Sequence, residues 1–267
     1  MEGNTRAKHP LRGLLLAQFL GAFNDNALKV FVALMAMRNL ALTPGTVAFA
    51  AASQVEATKA FVALTLPLML VSLPAAMVAD RFSKRTVIVG MKFLEILLMG
   101  AVGYSLYRYP EDANLPFMIL ACMGAQSALF SPAKMGILPE VLPEERLSVG
   151  NGLLQMWTML AIIIGTAAAG PFSDLFGATR PWIVGSILAV LALIGFVASL
   201  TVPRVPAARF KSDKGGTFRG AGKAIREDRT LRLVIMGAAY LWGIASLLGQ
   251  NILVYAKATL ELSDTLS

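Results

Sequence analysis

Apolar residues recur along this chain in long runs separated by short polar turns. A hydrocarbon core about 30 Å thick is crossed by roughly 20 apolar residues in a helix. Seven runs of that order stand out, at residues 11–37, 60–79, 86–107, 115–138, 147–169, 181–200 and 231–258. Pro67 and Pro74 predict kinks in the second, Pro132 a break in the fourth, and Gly170-Pro171 the end of the fifth. Residues 38–59 form a connection whose own apolar run, 47–52, suggests that the second helix extends outward. The runs are too long for the strands of an outer-membrane barrel and lack period-2 alternation. The pattern predicts an all-α polytopic membrane protein.

The spacing also gives an organisation. Residues 1–200 form a six-helix transmembrane bundle, 201–230 a basic linker, and 231–267 the first helix of an incomplete second bundle. Six helices, a long linker and one further helix read as a twelve-helix protein cut short. Nine bases from Arg204 through Arg232 face three acids, with Gly215-Gly216 among them. A solvated loop is the simpler reading of the linker, and an amphipathic helix on anionic lipid the other. The run 75–82 closes the second helix with small residues and then Asp80-Arg81-Phe82. The run 169–176 closes the fifth similarly with Asp174-Leu175-Phe176, on the opposite membrane face. Three-plus-three inverted repeats predict that relation.

Composition agrees with the pattern: 56% of the 267 residues are hydrophobic and 15% charged, against about 25% charged in an average soluble domain. The net charge of +8 would suit nucleic acid, but its placement does not. Of the 24 Lys and Arg residues, sixteen fall on the side of the N-terminus and linker and five on the other. The positive-inside rule then makes the N-terminus cytoplasmic. The single cysteine, Cys122, rules out an internal disulfide.

The remaining bases, Lys29, Lys92 and Lys134, lie inside the spans and need a functional explanation. The stretch Phe23-Asn24-Asp25-Asn26-Ala27-Leu28-Lys29 puts an acid, a base and two amides within the first apolar run. A charge at a helix centre costs about 2.5–3.5 kcal/mol on insertion scales, so Asp25 is expected to face away from lipid. Gln18, Asp25 and Lys29 share a helix face that Gly21 and Ala22 thin. Either Asp25 and Lys29, four apart, neutralise each other, or the face lines a central cavity. Lys92 sits about six residues into the third helix, roughly 9 Å deep, and Glu95 lies one turn further, nearer the depth of Asp25. Lys92 either snorkels, pairs with Glu95, or serves a ligand. Lys134 follows Pro132 about one turn from the end of the fourth helix. Gln126, Asn151 and Gln155 either line the cavity or bond across helices as packing glue. Two bases thus lie at shallow depth and two acids nearer the midplane.

Asp80-Arg81-x-x-Lys84-Arg85 between the second and third helices resembles the signature turn of the major facilitator superfamily, with Ala76 and Ser83 where glycines are usual. In that family Asp80, Arg81, Lys84 and Arg85 would form the conformational-switch turn. The runs 17–26 and 124–139 and Asn151-Gly152-Leu153 resemble the lysophospholipid transporter branch, including forms fused to acyltransferase and acyl-acyl-carrier-protein synthetase domains. The resemblance implies transport of lysophospholipid, chiefly lysophosphatidylethanolamine, to the inner leaflet of a bacterial inner membrane for reacylation. It implies a bilayer and an acyltransferase or synthetase as partners, and no cofactor. Asp25, Lys134, Asn24, Asn26, Lys29, Lys92, Glu95, Gln126 and Asn151 are the candidate substrate-binding residues.

Two rival readings follow from the same residues. A proton-coupled drug or metabolite antiporter of the same fold would use Asp25 or Glu95, and Gly165 with Gly170-Pro171 matches a fragment of the antiporter glycine-proline motif. A membrane-bound acyltransferase would need a histidine followed four or five residues on by an acid. The sole histidine, His9, is followed there by Gly13 and Leu14. No catalytic or metal-ligand cluster is legible, so an enzyme is not expected.

Overall fold

A computed structural model describes residues 11–43, 46–204, 226–258 and 260. His9, most of the basic linker and the last seven residues lie outside the described residues, as does the side chain of Asp80. The described chain is helical: α1 (Arg12–Arg38), α2 (Val47–Arg81), α3 (Lys84–Arg108), α4 (Asn114–Gly136), a single turn α5 (Leu138–Val141), α6 (Glu144–Phe172), α7 (Trp182–Leu200) and α8 (Arg229–Ala258). A π-helical turn, Ser173–Gly177, continues α6. Among the described residues seven helices are long and apolar enough to cross a membrane, and the protein is a multi-pass, all-α membrane protein.

The expected connection at 38–59 is mostly helix, because α2 begins at Val47. Thr46 sets that start: its Oγ1 accepts the backbone N–H of Phe49 at 3.1 Å, as an N-capping side chain does. Pro132 does not break α4, which runs through it to Gly136. Gly170-Pro171 does not end α6 either, and the expected loop from Asp174 begins as helix. Pro171 cannot donate to the carbonyl four residues back, and the wider π-helical register follows within two residues.

The packing obeys an inverted repeat. α1 packs on α6 as α4 packs on α2; α3 packs on α4 as α7 packs on α1; and α3 and α7 pack on each other. Small residues sit at these crossings, where helices in lipid approach most closely. A Cβ on Gly165 of α6 would strike the backbone of Phe23, and one on Gly124 of α4 the backbone of Leu64. A Cβ on Gly185 of α7 would likewise strike the backbone of Gly103 on α3.

Two apolar clusters fill the bundle, separated along its axis. One joins Phe31, Met99, Leu106, Leu120, Met123 and Leu188. The other joins Leu14, Ile88, Phe130, Ile137, Leu138 and Leu154. On α1, α3 and α4 the buried polar side chains Gln18, Lys92, Glu95 and Gln126 fall between them, and Asn24 follows Phe23 of the first cluster. A polar layer between two apolar ones is the place where a membrane bundle can hold charge.

The basic end is tied by the turn between α2 and α3. Lys84 pairs with Glu140 of α5, and Arg85 donates to the carbonyls of Val202, just past the end of α7, and Leu200, its last residue, at 2.8 and 2.9 Å. Arg81 is exposed. At the opposite end Arg38 donates to the carbonyl and hydroxyl oxygens of Ser173, both at 3.1 Å, joining α1 to the π-helical turn.

Candidate functional site

A cavity of about 490 Å³ opens in the polar layer, lined chiefly by α1 and α4 with contributions from α2, α3 and α6. From α1 come Gln18, Gly21, Ala22, Asp25 and Asn26, residues at helical spacing on one face. From α4 come Gln126, Ser127, Phe130, Ser131 and Lys134. Lys92 and Glu95 reach it from α3 and Thr158 from α6, while Leu64, Leu68 and Ile162 supply apolar wall.

Lys92 and Glu95 form the tightest unit. Lys92 Nζ lies 2.6 Å from Glu95 Oε2, and each residue is 1% exposed. Asn24 Nδ2 donates to the other carboxylate oxygen at 2.9 Å and to the Leu188 carbonyl of α7 at 3.2 Å. One acid thus gathers three helices. Gly21 makes the room, since a Cβ there would overlap the Lys92 ammonium. Lys92 therefore does not snorkel; it pairs with Glu95.

Asp25 and Lys134 are placed differently. Asp25 Oδ2 accepts the Ser127 hydroxyl at 2.6 Å. Lys134 Nζ donates to Gln18 Oε1 at 3.1 Å, and Gln18 Nε2 donates on to Thr158 Oγ1 at 2.9 Å. Among the described residues neither charge forms an ion pair, so of the two readings of the α1 face it is the cavity lining, not an Asp25–Lys29 pair, that is found. Lys29 instead donates to Asn26 Oδ1 at 2.9 Å, and Asn26 to the Ala22 carbonyl at 2.8 Å. The α1 lining ends at Asn26, so Lys29 lies beyond the cavity. The Phe130 ring stands beside both cavity lysines, its centroid 5.1 Å from Lys92 Nζ and 5.7 Å from Lys134 Nζ.

Of the sequence candidates, the structure brings Asp25, Asn26, Lys92, Glu95, Gln126 and Lys134 to one cavity, with Asn24 buried behind it. Gln126 also ties α4 to α3 through the Met91 carbonyl, at 3.0 Å. Asn151 and Gln155 are exposed and do not line it. The α6 residue that does is Thr158, seven residues before Gly165 and so on the face of α6 that meets α1. Thr158 and Ser127 were missed as candidates; the helical repeat counted back from Gly165 points to the first, and adjacency to Gln126 to the second. Among the described residues no group of His, Cys, Asp and Glu is arranged to hold a metal.

Comparison with known proteins adds a family. The family model described as Major Facilitator Superfamily matches residues 14–267. Over 94% of its length the chain is 29% identical to proteins named lysophospholipid transporter LplT from Serratia proteamaculans (strain 568) and Yersinia pestis (strain Pestoides F). It spans 58% and 57% of the length of those two relatives.

Proposed function

The chain belongs to the Major Facilitator Superfamily, and from that premise we propose that it is the substrate-binding part of a membrane transporter for lysophospholipid, chiefly lysophosphatidylethanolamine. The observation that carries this reading is the placement of Asp25 and Lys134 in one cavity, each on a neutral hydrogen-bond partner. A phosphoethanolamine headgroup carries a phosphate and an ammonium. Lys134 would take the phosphate and Asp25 the ammonium, as charge-assisted bonds in a low-dielectric site. Leu64, Leu68 and Ile162 in the same wall suit the start of an acyl chain. The relatives' name supports the substrate class.

Direction and setting belong to the same proposal. Sixteen bases on one side against five on the other support a cytoplasmic N-terminus and linker, and the bacterial relatives support an inner-membrane setting. Transport would then deliver lysolipid to the cytoplasmic leaflet, where an acyltransferase or acyl-acyl-carrier-protein synthetase, fused or separate, would reacylate it. The turn Asp80, Arg81, Lys84 and Arg85 would take part in the conformational switch; Arg81 in it is exposed.

Purified chain in detergent, given an equimolar mixture of lysophosphatidylethanolamine and lysophosphatidylcholine, should retain the former in native mass spectra. A primary ammonium can donate hydrogen bonds to Asp25 and a trimethylammonium cannot. Equal retention of the two would overturn the proposed ammonium contact.

A further inference from the structure

The two ends of the bundle are tied by contacts that match under the inverted repeat of α1, α2, α3 on α4, α6, α7. At the basic end the turn between α2 and α3 grips the end of α4. Lys84 pairs there with Glu140 of α5, the single turn just past α4. Its stem crosses Gly136, where a Cβ would lie 2.6 Å from Lys84 Cε. At the opposite end the turn between α6 and α7 grips the end of α1. Arg38, the last residue of α1, donates to the carbonyl and hydroxyl oxygens of Ser173, both at 3.1 Å. Its guanidinium crosses Gly177, where a Cβ would lie 2.6 Å from Arg38 Nη1. The third helices match as well. Arg85 at the start of α3 holds the end of α7, and Trp182 at the start of α7 packs edge-on against Tyr107 near the end of α3, with centroids 6.2 Å apart.

We propose that Arg38, Ser173 and Gly177 form a conformational latch, the counterpart of the basic turn at the other end of the bundle. Each end is then held, and released, independently of the other. The latch goes beyond the lysolipid reading and does not depend on it.

The chemistry explains why a base stands at each end. The last carbonyls of a helix lack intrahelical donors, and the helix dipole makes that end attractive to a cation. Arg85 answers the carbonyls at the end of α7, and Arg38 the carbonyl of Ser173 at the end of α6. Ser173 is buried, so its hydroxyl meets the guanidinium away from water, and the planar fork of arginine reaches both oxygens at once. The turn that receives Arg38 is the π-helical one, Ser173–Gly177, a register found mostly at functional places.

The position of the latch sets what it can move. Arg38 lies roughly 18 Å along α1 from Asn26, where the cavity lining ends. Between them and the cavity, Gly165 of α6 fits against the backbone of Phe23. Releasing Arg38 frees the end of α1 from α6 while the crossing at Phe23 and the contacts of the basic turn stay in place. One end of the bundle can therefore loosen without the other.

Hydrogen exchange read by mass spectrometry on the full chain tests this, since it reports local opening segment by segment. Arg38→Met should speed exchange at the end of α1 and in the π-helical turn about tenfold, from the loss of bonds to a charged group. Exchange in the α2–α3 turn and in α5 should stay within about twofold. Lys84→Met should give the reverse pattern. Gly177→Ala should repeat the effect of Arg38→Met with the charge retained, because its Cβ displaces the guanidinium. Arg38→Lys, which keeps the charge without the fork, should fall between. If Arg38→Met does not fold, Gly177→Ala and Arg38→Lys carry the same test. Equal acceleration at both ends would mean general loosening of the bundle, and unchanged exchange a solvated helix end; either overturns the latch. Both results leave the lysolipid reading in place.

Discussion

Lys92 and Glu95 lie three residues apart on α3 and close on each other, whereas Asp25 and Lys134 come from different helices and each rests on a neutral partner. All four side chains line one cavity. The difference shows that burial alone does not decide whether a charge is already paired. A pair that one helix can close locally satisfies itself, because neighbours at i and i+3 meet on the helix surface. Charges set on separate helices against Ser127 and Gln18 keep their charge available.

The comparison can be broken most severely at the closed pair. Removing one partner of a buried ion pair strands the other charge, at a cost of about 3–5 kcal/mol. Lys92→Met should therefore lower the thermal unfolding midpoint of the purified protein sharply. Adding Glu95→Met should recover most of the loss, as apolar replacement of a whole buried pair usually does. A single variant that melts with the unaltered protein would show that the pair is solvated and not closed.

The open charges should act on ligand instead of fold. Lys134→Gln should leave the melting midpoint nearly unchanged and weaken both zwitterionic and anionic lysolipids about ten- to a hundredfold, from a charged hydrogen bond of about 1.5–3 kcal/mol. A selective loss of one headgroup would contradict a phosphate contact, since both headgroups carry a phosphate.

Smaller effects separate the supports from the bystanders. Ser127→Ala removes the hydroxyl that holds Asp25 and should weaken the zwitterionic lipid by about 0.5–1.5 kcal/mol. Asn151→Ala, at an exposed position outside the cavity lining, should change binding by no more than about 0.5 kcal/mol. The reverse order would place the ligand along α6 and not between α1 and α4.

Much of this site is legible in the chain because lipid makes charge expensive. Asp25 at the centre of an apolar run demands a polar surround, and Lys92 with Glu95 three residues on makes a pair one of the readings open to it. What the chain does not announce is which neutral groups meet the other two charges. Ser127 reaches Asp25, and Gln18 reaches Lys134, only through the crossing of α1 and α4, more than a hundred residues apart in sequence. Asn151 shows the converse limit: a polar residue near a helix start carries no mark of which face will be inward, and α6 turns Thr158 inward instead. Helix ends misled for a local reason. Pro132 and Pro171 were absorbed within longer helices, whereas the run 47–52 did foretell the outward extension of α2 that Thr46 caps.

The central claim, that Asp25 and Lys134 divide a zwitterionic headgroup between them, is tested most directly at Asp25. Asp25→Asn keeps the shape and can still accept the Ser127 hydroxyl while deleting the charge. Binding of lysophosphatidylethanolamine and lysophosphatidylglycerol to this variant should be measured against the unaltered chain at equal lipid concentrations. The account predicts a loss of the zwitterionic lipid of about tenfold or more, from the charged bond's about 1.5–3 kcal/mol, with the anionic lipid unchanged or strengthened. A folded Asp25→Asn protein that binds both lipids as the unaltered chain does would contradict it.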